Sequence, residues 1–162
     1  MKTLLIFRHA KSSRDNPHWA DVDRPLNDRG EKDAPRMGEL IKKKRLVPDL
    51  IMSSPALRAR RTTEKAAHAA GYTGPIDWRE SFYGAGPADY INGIRLAPES
   101  CQRLMIVGHN PGMENLLVNL TGRDERLPTA AIACLGLPID RWADISLQTS
   151  AQLQHLWKPK EI

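Results

Sequence analysis

Thr3-Leu4-Leu5-Ile6-Phe7-Arg8-His9-Ala10-Lys11 runs from a compact apolar segment straight into an arginine, a histidine and a lysine. An unbroken apolar run of this kind, without polar alternation, predicts a strand buried on both faces. The pattern recurs twice. Asp49 to Met52 leads into Ser53-Ser54-Pro55, and Arg103 to Val107 leads into Gly108-His109-Asn110-Pro111. Helical segments lie between these strands. One spans Asp28 to Lys44, with Asn27 as its N-cap and Pro35 as an awkward interruption. A second opens at Ser54-Pro55, with Ser54 capping and Pro55 in the first turn, and closes at Gly71. Ala88 to Leu96 forms a third, and a fourth opens at Asn110-Pro111 and reaches Leu120. Ile76 to Trp78 adds a short strand, and Ala131–Leu135, Trp142–Leu147 and Leu153–Trp157 make the tail strand-rich. Strands alternating with helices predict an α/β fold: three layers, with a mainly parallel sheet flanked by helices on both faces.

The 162 residues carry no repeat, no low-complexity tract and no linker, so one domain over 1–162 is expected. No apolar run approaches the roughly 20 residues that span a bilayer. The four-residue run Leu4 to Phe7 is too short for a signal peptide. Cys101 and Cys134 fit neither a metal spacing nor a disulfide framework, which suits a reducing cytoplasm. The net charge of +5 favours acidic partners. Part of it, Lys42 to Arg45, falls where cations complement the end of a helix. No basic stripe with interleaved aromatics argues for nucleic acid; Trp19, Trp78, Trp142 and Trp157 are scattered.

In open α/β sheets, ligands bind beyond the carboxyl ends of the strands. Arg8, His9, Arg58 and His109 therefore converge on one crevice, beside helix N-termini whose free N–H groups favour anions. Such a cationic crevice, with little acid nearby, suits phosphate. Arg60 and Arg61 are rivals to Arg58, which lies closest to the strand end. Arg8 could instead pair with a carboxylate such as Asp15. Lys11 is either a phosphate contact or loop surface, and Ser12 to Asp23 could border the entrance. His18, His68 and His155 have no partner at metal spacing, and no metal or cofactor is expected.

Four ordered segments carry a family resemblance. Arg8-His9-Ala10 resembles the Arg-His-Gly signature of the histidine phosphatase (phosphoglycerate mutase-like) superfamily, with alanine for glycine. Arg24-Pro25-Leu26 with Gly30 is similar to its helix-opening signature. Ser53-Ser54-Pro55 through Leu57-Arg58-Ala59 to Thr62 is similar to its second-arginine motif, and Gly108-His109-Asn110-Pro111-Gly112 to its second-histidine motif. The compact length and Lys11 look most like the SixA-type phosphohistidine phosphatases.

The resemblance implies a metal-independent phosphatase in which His9 is the nucleophile and Arg8, Arg58 and His109 hold the phosphate. An imidazole attacks through the nitrogen that carries no proton while the other holds one, and the phosphohistidine formed is then hydrolysed. Planar guanidinium donors match the equatorial oxygens of the transferring group. His109 joins them if protonated, a state the anionic site favours. Many members add a glutamate acid between the second and third motifs. The candidate here, Glu80, has no matching surroundings. The substrate expected is protein phosphohistidine. The alternatives are small sugar or aryl phosphates, or binding of phosphate without catalysis.

Overall fold

The computed structural model describes residues Met1–Ile162. Six strands form one sheet: β1 (Lys2–Arg8), β2 (Leu50–Ser53), β3 (Ile76–Trp78), β4 (Arg103–Gly108), β5 (Ile132–Leu137) and β6 (Gln152–Trp157). Their order is β3-β2-β4-β1-β5-β6. The first four run parallel, β5 is antiparallel to β1, and β6 is antiparallel to β5. Four helices complete the fold: α1 (Asp28–Lys43), α2 (Leu57–Ala70), α3 (Pro87–Ile94) and α4 (Gly112–Thr121).

The apolar run of β1 is buried because it has a core on each side. Leu4 and Ile6 pack with Tyr90 and Ile94 of α3 and Leu116 and Leu117 of α4. Leu5 and Phe7, pointing the other way, pack with Ala34 and Met37 of α1 and Ala59 and Ala66 of α2. Alternate side chains of a strand face opposite sides, so a run without polar residues requires both helical layers. The three-layer α/β expectation holds.

The Asn27 side chain caps α1 by accepting from the Gly30 N–H at 2.9 Å. Pro35 lies within α1 without ending it, at the loss of one backbone hydrogen bond. Gly71 closes α2 in the left-handed region at φ 74°.

Other details depart from the sequence-based expectations. Ala56, not Ser54, is the N-cap residue of α2, and no side chain caps that helix. The Asn110–Pro111 peptide is cis, and α4 begins only at Gly112. Trp142 to Leu147 is not a strand. Trp142–Asp144 is a 3₁₀ turn, in which the buried indole donates to the Cys101 carbonyl at 2.7 Å. Tertiary burial of one large ring overrides the β-propensity of that stretch. No helix is long and apolar enough to cross a membrane.

Candidate active site

Parallel neighbours β1 and β4 pair Arg8 with Gly108. The next residue on each strand is a histidine, so His9 and His109 leave the sheet side by side, their ring centroids 5.1 Å apart. Arg58 arrives from the first turn of α2, which follows the neighbouring strand β2. The structure thus brings Arg8, His9, Arg58 and His109 to one pocket of about 260 Å³. Lys11, exposed, also lines it, as do Ser12, Arg14 and Asp21 from the adjoining loop. Glu80 is exposed and does not line the pocket. Arg60 instead stacks over Trp78 at 5.0 Å, and Arg61 lies 3.9 Å from Glu64.

His9 is fixed by its surroundings. Its N–H donates to the Gly108 carbonyl, and the following amide, Ala10 N–H, donates to Thr62 Oγ1 at 2.9 Å. Thr62 in turn donates to the Arg58 carbonyl at 2.7 Å, so one hydroxyl ties the segment after His9 to the helix carrying Arg58. His9 Nδ1 lies 2.7 Å from the Ala10 carbonyl. A carbonyl can only accept, so Nδ1 carries the proton and Nε2 is bare. Burial pushes the His9 pKa down to about 3, against the opposing pull of the Ala10 carbonyl. The ring is a neutral base.

Burial also takes His109 down to about 4, with Arg58 the next cause. In the protein alone His109 is therefore neutral, and the protonated state considered from the sequence was conditional. The expectation concerned an anion beside it, and within the protein desolvation and the arginines dominate. His109 Nε2 is 2.8 Å from Ser54 Oγ. Ser54 Oγ accepts from the Ala56 N–H at 3.2 Å, which frees its own proton for Nε2 and leaves the ring's single proton on Nδ1.

Five buried side-chain polar atoms have no hydrogen-bond partner, and three of them, Arg8 Nε, Arg58 Nε and His109 Nδ1, belong to this pocket. An unsatisfied buried donor costs about 1–3 kcal/mol. Clustered in one pocket, these three donors can serve an incoming acceptor. Arg8 does not pair with Asp15; its Nη1 donates to the Leu127 carbonyl at 3.0 Å.

The pocket is less acid-poor than the sequence suggested. Asp21 Oδ2 accepts from Arg58 Nη2 at 2.9 Å and from the Tyr83 hydroxyl at 2.6 Å, and Oδ1 accepts from Arg24 Nε at 3.1 Å. The Tyr83 hydroxyl, with Arg58 and Arg24, holds the Asp21 carboxyl well below the usual range. Sequence reasoning placed Asp21 only in a loop bordering the entrance. In the sequence Ser54 reads as a helix cap, and nothing points to Tyr83. No local pattern announces these residues, because the contacts of Asp21 with Arg58 and Tyr83, and of Ser54 with His109, join segments far apart in the chain. No group of three or more His, Cys, Asp or Glu side chains is arranged to hold a metal ion.

Two histidines, four arginines and Lys11 line this one pocket at the carboxyl ends of a mainly parallel sheet, an arrangement that favours an anion. The sequence model of the histidine phosphatase superfamily (branch 1) matches residues 4–85. An uncharacterised protein of Mycobacterium tuberculosis is 34% identical over 86% of this chain and 91% of its own length. A chloroplastic protein of Arabidopsis thaliana, also uncharacterised, is 30% identical over 88% and 70%. A SixA-type structure from Agrobacterium tumefaciens superposes with a TM-score of 0.84 at 30% identity, covering 98% of each chain. The chain belongs to the histidine phosphatase superfamily, in its SixA-type branch, which places it among phosphatases. Bisphosphoglycerate-dependent mutases, such as that of Corynebacterium kroppenstedtii at 41% identity, match only 51% of this chain and 36% of theirs.

Proposed function

We propose that the chain hydrolyses phosphohistidine on a partner protein through a covalent phosphoryl group on its own His9. The observation that carries this reading is the His9 ring, buried and neutral, with Nδ1–H held by the Ala10 carbonyl and Nε2 bare. The Nε2 lone pair attacks phosphorus, the bond to the leaving group breaks, and its electron pair departs with that group. Water then attacks the phosphohistidine and returns His9 to its starting form. Arg8, Arg58 and the His109 Nδ1–H hold the equatorial oxygens, where charge spreads in the transition state. A phosphate dianion beside His109 raises that ring's pKa and strengthens its hydrogen bond. Lys11, at the pocket edge, adds a further cation.

The placement of Glu80 supports the choice of substrate. An alkoxide is a strong base and leaves only if protonated, whereas a protonated imidazole ring leaves as a neutral molecule. An exposed Glu80, outside the pocket lining, suits a leaving group that needs no such acid. The test is a side-by-side measurement of kcat/KM on phosphohistidine, phosphoserine and phosphotyrosine peptides and on sugar phosphates. Phosphohistidine is expected to lead, with Glu80→Gln nearly as active as the parent. Comparable rates on alkyl esters that collapse in Glu80→Gln would instead favour a phosphatase of small esters.

A further inference from the structure

Asp21 is the one carboxylate lining the pocket, and the steps above give it no task. An ionised carboxylate near a phosphate dianion is repulsive, so its presence calls for a compensating role. Part of that role is structural. Besides the carboxylate contacts, the Asp21 backbone carbonyl accepts from Arg58 Nη1 at 2.7 Å. Asp21 therefore takes both terminal nitrogens of Arg58, and Arg58 Nε remains unpartnered.

The anchoring of Arg58 does not exhaust the carboxylate. Two oxygens offer about four lone-pair directions, and Arg58, Tyr83 and Arg24 use three. The side chain stays 52% exposed. One acceptor direction on Oδ1 is thus open, in the pocket that His9, Arg58 and His109 also line.

We propose that Asp21 selects phosphohistidine by accepting the N–H of the substrate's imidazole ring while the P–N bond breaks. This inference rests on the function proposed above and names the residue behind its substrate preference. Alkyl and aryl esters offer a carboxylate no donor at this point. A phosphorylated imidazole does once its second ring nitrogen has taken up a proton from water, and an adjacent carboxylate favours that imidazolium form. With that N–H in place, the bond from His9 Nε2 to phosphorus forms, the P–N bond breaks, and the electron pair stays on the departing nitrogen. The product is neutral imidazole, its remaining N–H still donated to Asp21. Without the proton the ring would have to leave as an anion. The ionised state of Asp21, secured by Tyr83, Arg58 and Arg24, makes it an acceptor and not a proton donor.

The experiment compares kcat/KM on a phosphohistidine peptide and on p-nitrophenyl phosphate for the parent, Asp21→Asn, Asp21→Ser and Tyr83→Phe. Competitive inhibition by inorganic phosphate gauges the Arg58 clamp in each. Both Asp21 variants lose some activity on both substrates as Arg58 loses an anchor. The phosphohistidine value falls at least about tenfold further, the worth of a charge-assisted hydrogen bond. In Tyr83→Phe, which disturbs the same cluster but keeps the carboxylate, the two values move together. Parallel losses on both substrates in the Asp21 variants, tracking weaker phosphate inhibition, would reduce Asp21 to an anchor and overturn the inference. A parent that cleaves p-nitrophenyl phosphate but not phosphohistidine would remove the proposed function itself, and the inference with it.

Discussion

Individual side chains here do work that their sequence neighbours do not disclose. Ser54 precedes a proline at a strand end and reads as a helix cap, yet its hydroxyl sits 2.8 Å from His109 Nε2. Ser54→Ala leaves that buried nitrogen unpartnered, which costs about 1–3 kcal/mol of stability. It also removes the group that holds His109 in the Nδ1–H form. Activity should fall roughly tenfold, as for loss of one transition-state hydrogen bond, and Ser54→Thr should restore part of it. A Ser54→Ala protein with unchanged kcat would show that His109 needs no such partner. Arg58→Lys tests the clamp differently. An ammonium cannot reach the phosphate while also spanning the Asp21 carbonyl and carboxylate, so charge alone will not rescue activity. Single-turnover rates as fast as the parent's would contradict this.

At the scale of elements, the strand-end logic was legible and the starts of two helices were not. The unbroken apolar runs of β1 and β4 located both histidines, because burial on two faces leaves a strong mark on sequence. The starts of α2 and α4 were misread by a few residues: Ser54 also binds His109, and Asn110, whose Oδ1 still accepts from the Glu114 N–H at 3.3 Å, is followed by a proline before the helix opens, while its Nδ2 donates to the Leu127 carbonyl at 2.9 Å. Asp21 was seen only as loop, because its partners Arg58 and Tyr83 lie far along the chain. The helix-opening signature has a local cause. Asn27 N–H donates to the Lys11 carbonyl at 2.9 Å, and a Cβ on Gly30 would collide with that same carbonyl. The start of α1 is thereby pressed against the segment that follows His9. Gly30→Ala must push the two apart, at a cost of about 1–3 kcal/mol. Denaturant unfolding should show that loss together with reduced turnover. Full stability would mean that the segments part freely and that the close approach is incidental.

For the molecule as a whole, the site sets a pH dependence. His9 and His109 titrate near 3 and near 4 in the folded protein, against an ordinary value of 6.5. Below pH 6.5 the unfolded chain takes up protons that the folded chain refuses, so stability is full above that pH and declines as pH falls towards 4 and then 3. Melting temperatures across this range should fall more steeply for the parent than for a variant with both histidines changed to Asn. Identical acid limbs would place the pH sensitivity elsewhere. Turnover is also expected to persist in a chelator, since every phosphate contact proposed here is a protein donor; loss restored by a divalent ion would contradict that. The central claim, that phosphate passes through His9, is tested most directly by mixing the enzyme rapidly with substrate, quenching without acid and locating the phosphoryl group by mass spectrometry. The account predicts the label on His9, and none in an inactive His9→Ala variant. A label on His109, or full activity in His9→Ala, would contradict it.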